Sequence, residues 1–177
     1  CRIIDRLTQL GHKRIGFFSI SDKMAFPEAE RFKGYCRGIV KNGLALKNEF
    51  IFHTYDLHKK EIAVTLDQQQ QIFQKYTKNE MQRYLALEEK PTAICCINDS
   101  TLEMVYKVAK QLGILIPEEL TVTGFDCADV EKAKSMGYLC IRQDFASLGS
   151  AAIKLMLDIL DGQPHRDVVL VDGILIG

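Results

Sequence analysis

The fold is decided by residues 91–126, which read PTAICCINDSTLEMVYKVAKQLGILIPEELTVTGFD. Apolar runs at 93–97 and 120–125 flank a stretch, 100–112, in which apolar residues recur at helical spacing. Gly113 follows directly and suits the left-handed conformation that ends many helices. Two short apolar strands joined by one helix predict a βαβ unit, and such units build parallel sheets that are covered on both faces.

The alternation of strands and helices continues along the whole chain. Apolar runs bounded by turn residues predict strands at 14–18, 50–55, 93–97, 120–125 and 139–141, with one or two more within 168–176. Helical spacing predicts helices at 1–10, 28–42, 100–112, 128–136 and 145–161, and one or two helices within 65–89. The sequence therefore predicts an α/β fold, an open parallel sheet flanked by helices on both faces.

Composition and charge exclude several classes of protein. The 177 residues include 23 Lys plus Arg and 23 Asp plus Glu, so the formal net charge is zero. Because phosphate-binding domains carry a basic excess, we do not expect these residues to contact nucleic acid. No apolar run reaches the roughly 20 residues that span a bilayer, and no signal peptide is visible. The chain begins at Cys1 without an initiator Met, so we expect a piece of a longer protein, with a lipidated Cys1 as the alternative.

The six cysteines and four histidines follow no metal-binding or catalytic pattern. There is no CxxC pair and no His at zinc-ligand spacing, so we expect neither a metal nor a cofactor. We expect the cysteines to be reduced core residues of a cytoplasmic protein. The histidines have no evident Ser or Cys partner and a G-x-S-x-G motif is missing, so an enzyme is only the minority alternative.

Polar side chains follow the predicted strands, at the edge where a parallel sheet binds ligands. They are Ser19, Ser21 and Asp22, then Asn98 and Asp99, then Asp126, and finally Arg142, Gln143 and Asp144. Arg31 begins the second predicted helix near the same edge, and Phe145 offers a flat apolar ring to a sugar. Carboxylate, amide and guanidinium groups suit a neutral ligand rich in hydroxyl groups.

Helix capping is the alternative role for several of these residues. Asp144 precedes a predicted helix, and Ser100 begins the S-x-x-E pattern of a capping box. Capping is the favoured interpretation for Asp99 and Ser100. For Asn98 and Asp126 the chemistry supports capping and ligand binding equally.

Several short strings recur in a characteristic order. They are LGHKRI at 10–15, RFKGY at 31–35, PTAI at 91–94 followed by Asn98 and Asp99, LGI at 112–114, IPEEL at 116–120, GFD at 124–126, QDF at 143–145 and LG at 148–149. Together they resemble the effector-binding core of the lactose-repressor/galactose-repressor family of bacterial transcription regulators. Three features depart from that family. The strands and helices that precede LGHKRI in such proteins are missing, the stretch 56–90 is longer and Gln-rich, and Cys127 stands where a second Asp commonly follows GFD.

The resemblance implies a periplasmic-binding-protein-like domain of type I, represented mainly by its C-terminal lobe. Residues 1–137 would form that lobe, 138–161 a crossover that normally returns to the N-terminal lobe, and 162–177 the closing strands. The DNA-binding head and most of the N-terminal lobe would lie outside this chain.

The resemblance also implies a function and a set of site residues. Arg31, Asn98 and Asp126 would bind hydroxyl groups of a small effector, a sugar or related polyol, and Gln143 and Phe145 would line the cleft. The chain would sense this effector for a transcription regulator and so control DNA binding allosterically. A solute-binding protein of a sugar transport system is the alternative.

Two predicted helices have broad apolar surfaces. Helix 100–112 carries Met104 and Val108 outside its main apolar face, from which we expect a homodimer contact; the alternative is a helix buried on both sides by its own chain. Helix 145–161 is apolar on most of its surface, so we expect it to pack against a second copy or against the sheet edge.

Overall fold

The computed structural model describes residues 1–21, 26–55 and 65–177. The strands are β1 (Ile15–Ser21), β2 (Ile51–Tyr55), β3 (Ala93–Cys96), β4 (Thr121–Asp126), β5 (Leu139–Arg142) and β6 (Ile174–Ile176). The helices are α1 (Arg2–Gln9), α2 (Glu28–Lys41), α3 (Leu66–Ala86), α4 (Asp99–Gln111), α5 (Val130–Met136) and α6 (Phe145–Leu160), with a 3₁₀ turn at Asn48–Phe50.

The described strands form one sheet in the order β2-β1-β3-β4-β5-β6. Strands β1 to β5 are parallel, and β6 pairs antiparallel with β5. The predicted α/β fold with an open, mainly parallel sheet is confirmed. Strand β1 lies between β2 and β3, so the direction of chain progression reverses there, and ligands of open α/β sheets bind at this kind of switch point.

Most predicted elements are present, with shifts at their ends. Helix α3 is one unbroken helix that begins with a capping box between Thr65 and Gln68. The strand predicted within 168–176 is reduced to β6 at its far end, and the chain before it is irregular.

Helices cover both faces of the sheet, and each face has its own core. Helices α1 and α2 pack on one face around Phe17, and α3, α4 and α5 pack on the other around Phe18. Successive strand residues point to opposite faces, which explains why these two neighbours belong to different clusters. Cys95 and Cys96 on β3 are divided between the two clusters in the same way.

The expectation of an exposed apolar patch on α4 is wrong. Val108 is fully buried, and Met104 packs against the same core, because α4 packs on the sheet and is flanked by α3 on the same face. The exposed side of α4 carries charged residues instead, among them Glu103, Lys107 and Lys110. The alternative, a helix buried by its own chain, is the one that the structure supports.

Helix α6 is not covered by the described part of the chain. None of its residues is buried, and Ile153, Met156 and Leu160 are all more than half exposed. The expectation that α6 packs against the sheet edge is therefore wrong. After β5 the chain leaves the sheet and forms α6, and it rejoins the sheet only at β6.

The expectation that every cysteine is reduced is also wrong. Cys127, directly after β4, is joined by a disulfide to Cys140 on the neighbouring β5, and their Cα atoms are 5.8 Å apart. Parallel neighbours in a sheet bring side chains this close, so residues 13 positions apart in sequence can be bridged. Cys95 and Cys96 are free thiols in the core, as expected.

The contact between α1 and α2 depends on a glycine. A Cβ atom at Gly38 would lie 2.7 Å from Cγ1 of Ile4, which is buried beneath it. We expect Gly38→Ala to lower the free energy of unfolding by about 1–3 kcal/mol, because α1 must move away from α2. Urea denaturation would measure the change.

Gly34→Ala on the same helix is the matched control. Its Cβ would have no neighbour closer than the Cys1 nitrogen at 3.8 Å. Because Ala favours helices over Gly by up to about 1 kcal/mol, this variant should be neutral or more stable. Equal losses in the two variants would contradict the steric explanation.

Candidate functional site

Arg31 lies in the first turn of α2, at the edge where the parallel strands end. Its guanidinium donates to the backbone oxygen of Ile97, directly after β3, at 2.9 Å, and to Oδ1 of Asp126, at the end of β4, at 2.8 Å. The guanidinium also lies over the ring of Phe125, 4.1 Å from its centroid. One side chain thus connects the helix after β1 with the ends of two other strands.

Asp126 is shared between two polar partners. Its Oδ1 accepts from Arg31 and from the side-chain amide of Gln143, and its backbone oxygen accepts from the Gln143 N–H at 3.1 Å. Within the described residues, Oδ2 of Asp126 accepts no hydrogen bond, so it can receive one from a ligand hydroxyl. The side chains of Arg31 and Asp126 are 17% and 29% exposed, so their charges are only weakly screened by water.

The turn that follows β4 has an unusual backbone. Asp126 has φ 97° and Cys127 has φ 49°, and they are the only non-glycine residues with positive φ in the part of the chain that the structure describes. Asp99, at the start of α4, accepts from the N–H groups of Cys127 and Ala128 at 3.1 and 2.9 Å. The left-handed backbone places the Asp126 side chain beside Arg31.

Asn98 caps a helix in this structure. Its Oδ1 accepts from the N–H of Thr101 at 2.9 Å, because the extended backbone at Asn98 turns the side chain back over the first turn of α4. The capping roles predicted for Asp99 and Ser100 are therefore wrong, and the Asp99 carboxylate accepts from the turn after β4 instead. Asn98 follows Ile97, whose carbonyl binds Arg31, and its Nδ2 donates to no described residue.

The remaining predicted residues lie further out. Phe145 begins α6 and is 57% exposed. Asp144 caps α6, and the pKa of its carboxyl is lowered because the backbone N–H and hydroxyl of Ser147 donate to it. Asp22 lies outside the described residues. The structure therefore brings Arg31, Asp126 and Gln143 into contact and leaves Phe145 apart.

Arg31 and Gln143 line a cavity of about 580 Å³, whereas Asn98, Asp126 and Phe145 are not among its lining residues. Polar lining residues include Glu30, Arg31 and Gln143, and apolar ones include Phe125 and Ile141. A cavity of this size holds a monosaccharide or a ligand of similar bulk. The cavity lies on the α1/α2 face of the sheet.

Reactive groups in this region are few. Burial raises the pKa of the Cys95 thiol, which lines the cavity, to about 12, so it is a neutral thiol at pH 7. His53 does have a serine partner, contrary to expectation: its Nδ1 lies 2.7 Å from Oγ of Ser19 on the neighbouring strand. Ser19 is fully buried and also donates to the Ser21 carbonyl at 2.8 Å, so its oxygen is closed to a substrate.

Two further features bear on the kind of site. Among residues 1–21, 26–55 and 65–177, no cluster of three or more His, Cys, Asp or Glu side chains could hold a metal ion. No described helix is both long enough and apolar enough to cross a membrane. The polar cluster at the strand ends is therefore the candidate binding site.

Comparison with known proteins places this site in a family context. The chain is 26% identical over 156 residues to the transcriptional repressor PurR of Photobacterium profundum, and 28% identical over 162 residues to an arabinose metabolism transcriptional repressor of Halalkalibacterium halodurans. These alignments cover 88% and 91% of this chain but only 42% and 39% of the relatives. The chain thus spans less than half the length of the curated relatives it matches.

Solved structures agree on the fold. A regulatory protein of the LacI family from Chloroflexus aggregans superimposes with a TM-score of 0.77 at 22% identity, over 98% of this chain and 57% of that one. The transcriptional repressor AscG of Escherichia coli gives a TM-score of 0.74 at 20% identity, over 99% of this chain and 58% of that one.

The family of the chain is shown by a domain match over nearly its full length. The periplasmic binding protein-like domain matches residues 4–176, which includes every described strand and most of the site. The resemblance to the effector-binding core of lactose-repressor-type regulators is thereby confirmed. The chain belongs to the periplasmic binding protein-like domain family.

Proposed function

We propose that this chain is the effector-sensing domain of a bacterial transcription regulator and that its effector is a sugar or a related polyol. One observation carries the proposal: Arg31 from α2 and Gln143 from the segment after β5 both donate to one carboxylate oxygen of Asp126, and both also line the cavity. The cluster balances a cation with an anion and adds a neutral amide, which suits hydroxyl groups better than a charged ligand. Asn98 would donate from Nδ2, and Phe145 would contact the effector from the other side of the cleft.

The regulatory role is supported by the relatives. Both curated proteins named above are transcriptional repressors, which favours regulation over a transport solute-binding protein. In this proposal residues 1–137 form one lobe, 138–161 the crossover to a second lobe and 162–177 the closing strands. The protein is cytoplasmic, is not an enzyme, and contacts DNA only through a region outside these 177 residues.

The mechanism is a shift between lobe arrangements. A ligand changes such an equilibrium only by binding one arrangement more tightly than the other. Arg31 and Asp126 already satisfy each other, so the lobe that carries them is preorganised before an effector arrives. Closure would then add contacts from the second lobe, and the closed arrangement would alter DNA affinity by the same coupling free energy.

The carboxylate of Asp126 is the sharpest test of the site. A thermal-shift screen with L-arabinose, D-ribose, D-galactose, disaccharides and adenosine should identify a stabilising compound, and calorimetry then gives its Kd. We expect Asp126→Asn to weaken binding of that compound about 10- to 100-fold, because a hydrogen bond to a charged group is lost.

Asp5→Asn is the matched control for this variant. Asp5 also accepts from a cation and an amide, Lys41 and Asn42, but at the opposite end of α2 from Arg31. Its affinity for the same compound should equal that of the unmodified chain. An unchanged Kd in Asp126→Asn would show that the site has been assigned to the wrong residues.

Self-association through helix 100–112 is part of the same proposal and is supported by the resemblance alone. Because the exposed side of α4 carries Lys107 and Lys110, the contact would be polar. Sedimentation equilibrium should give a species twice the 20.1 kDa of the chain. Reversing both charges with Lys107→Glu and Lys110→Glu should favour the monomer, whereas Lys154→Glu on α6 should not. A monomer at every concentration would exclude this contact.

A further inference from the structure

Asp99 contacts the backbone that carries Asp126, although it lies on a different element. Its Oδ1 accepts from the N–H of Cys127 at 3.1 Å, and its Oδ2 accepts from the N–H of Ala128 at 2.9 Å. Both carboxylate oxygens are thus directed at two successive N–H groups of one turn. A helix-capping aspartate would direct its oxygens to its own helix, and in α4 that role belongs to Asn98.

The turn needs such support because its backbone is unfavourable. Asp126 and Cys127 both have positive φ, a region that residues with a Cβ rarely occupy unless their surroundings hold them there. The turn is also held by the hydrogen bonds that Asp126 accepts from Arg31 and Gln143 and by the disulfide from Cys127 to Cys140. None of these engages the N–H groups of Cys127 and Ala128.

The sheet leaves room for the Asp99 side chain at one position. A Cβ atom at Gly124 would lie 3.3 Å from Oδ1 of Asp99 and 3.3 Å from Cδ1 of Leu102. A larger residue there would push the carboxylate away from the turn. Gly124, two residues before Asp126, therefore keeps Asp99 within hydrogen-bonding distance.

We propose that Asp99 is a positioning residue of the effector site: it holds the turn at 126–128 in its left-handed conformation and so directs the Asp126 carboxylate towards Arg31 and Gln143. The role of Asp99 in effector binding rests on the proposed function, whereas its effect on the conformation of the turn does not. Asp99 touches no ligand in this scheme and acts through the backbone of its neighbour.

The first experiment needs no ligand. Amide hydrogen exchange, measured by NMR on the 177-residue chain with a reductant present, reports directly on the Cys127 and Ala128 N–H groups. We expect Asp99→Ala to raise their exchange rates at least tenfold relative to unchanged amides in β1. Asp99→Asn keeps only one acceptor oxygen and should give an intermediate increase. Asp5→Ala removes a carboxylate of similar exposure elsewhere and should leave these two amides unchanged.

The second experiment measures affinity beside stability. For the compound from the screen of L-arabinose, D-ribose, D-galactose, disaccharides and adenosine, we expect Asp99→Ala to raise Kd at least tenfold. Asp5→Ala should leave Kd unchanged even where its loss of Tm equals that of Asp99→Ala. The comparison separates positioning from a general loss of stability, which Asp99 also affects by placing a negative charge at the first turn of α4.

Each outcome decides the matter. Slow exchange at Cys127 and Ala128 in Asp99→Ala would overturn the inference, and so would fast exchange with an unchanged Kd. If none of the compounds binds the unmodified chain, the proposed function fails, and the exchange rates alone then decide whether Asp99 holds the turn.

Discussion

The interaction on which the site depends is the carboxylate of Asp126, which accepts from both Arg31 and Gln143 through one oxygen. Each partner comes from a different part of the fold: the start of α2, the end of β4 and the segment after β5. Arg31 also reaches the carbonyl after β3, so it spans the point at which the strand order reverses. A parallel sheet makes this convergence possible because all of its strands end at one edge. The attraction between the partly buried charges of Arg31 and Asp126 offsets part of the cost of removing them from water.

Much of this arrangement can be predicted from residue order alone. Short apolar runs and the helices between them predict a parallel sheet, and the residue that follows each strand must then lie at the ligand-binding edge. This reasoning identifies Asn98, Asp126 and Gln143 without coordinates. Arg31 is found by the same argument, since the helix after a strand also begins at that edge. The sequence cannot show which of these groups contact each other, because contact depends on strand order and turn geometry.

The predictions that the structure contradicts depend on which parts of the chain become neighbours in the fold. The sequence of α4 shows an apolar residue, Val108, outside the main apolar face, but it does not show which element packs against it. Helix α3, from a distant part of the chain, provides that cover. The pairing of Cys127 with Cys140, and of Ser19 with His53, follows from strand adjacency and register, which local sequence does not encode. Asn98 rather than Ser100 caps α4 because the helix begins at Asp99, two residues earlier than a cap at Ser100 requires.

Strand β3 contacts both cores and also meets the site. Its successive residues Cys95 and Cys96 belong to the two separate cores, and the Ile97 carbonyl that follows them accepts from Arg31. A small shift of β3 along its own axis would therefore disturb the packing on both faces of the sheet together. A displacement of Arg31 that moves the Ile97 carbonyl would therefore change the packing of α1 and α2 on one face and of α3 and α4 on the other. The middle of the sheet is thus a mechanical link between the two helical layers.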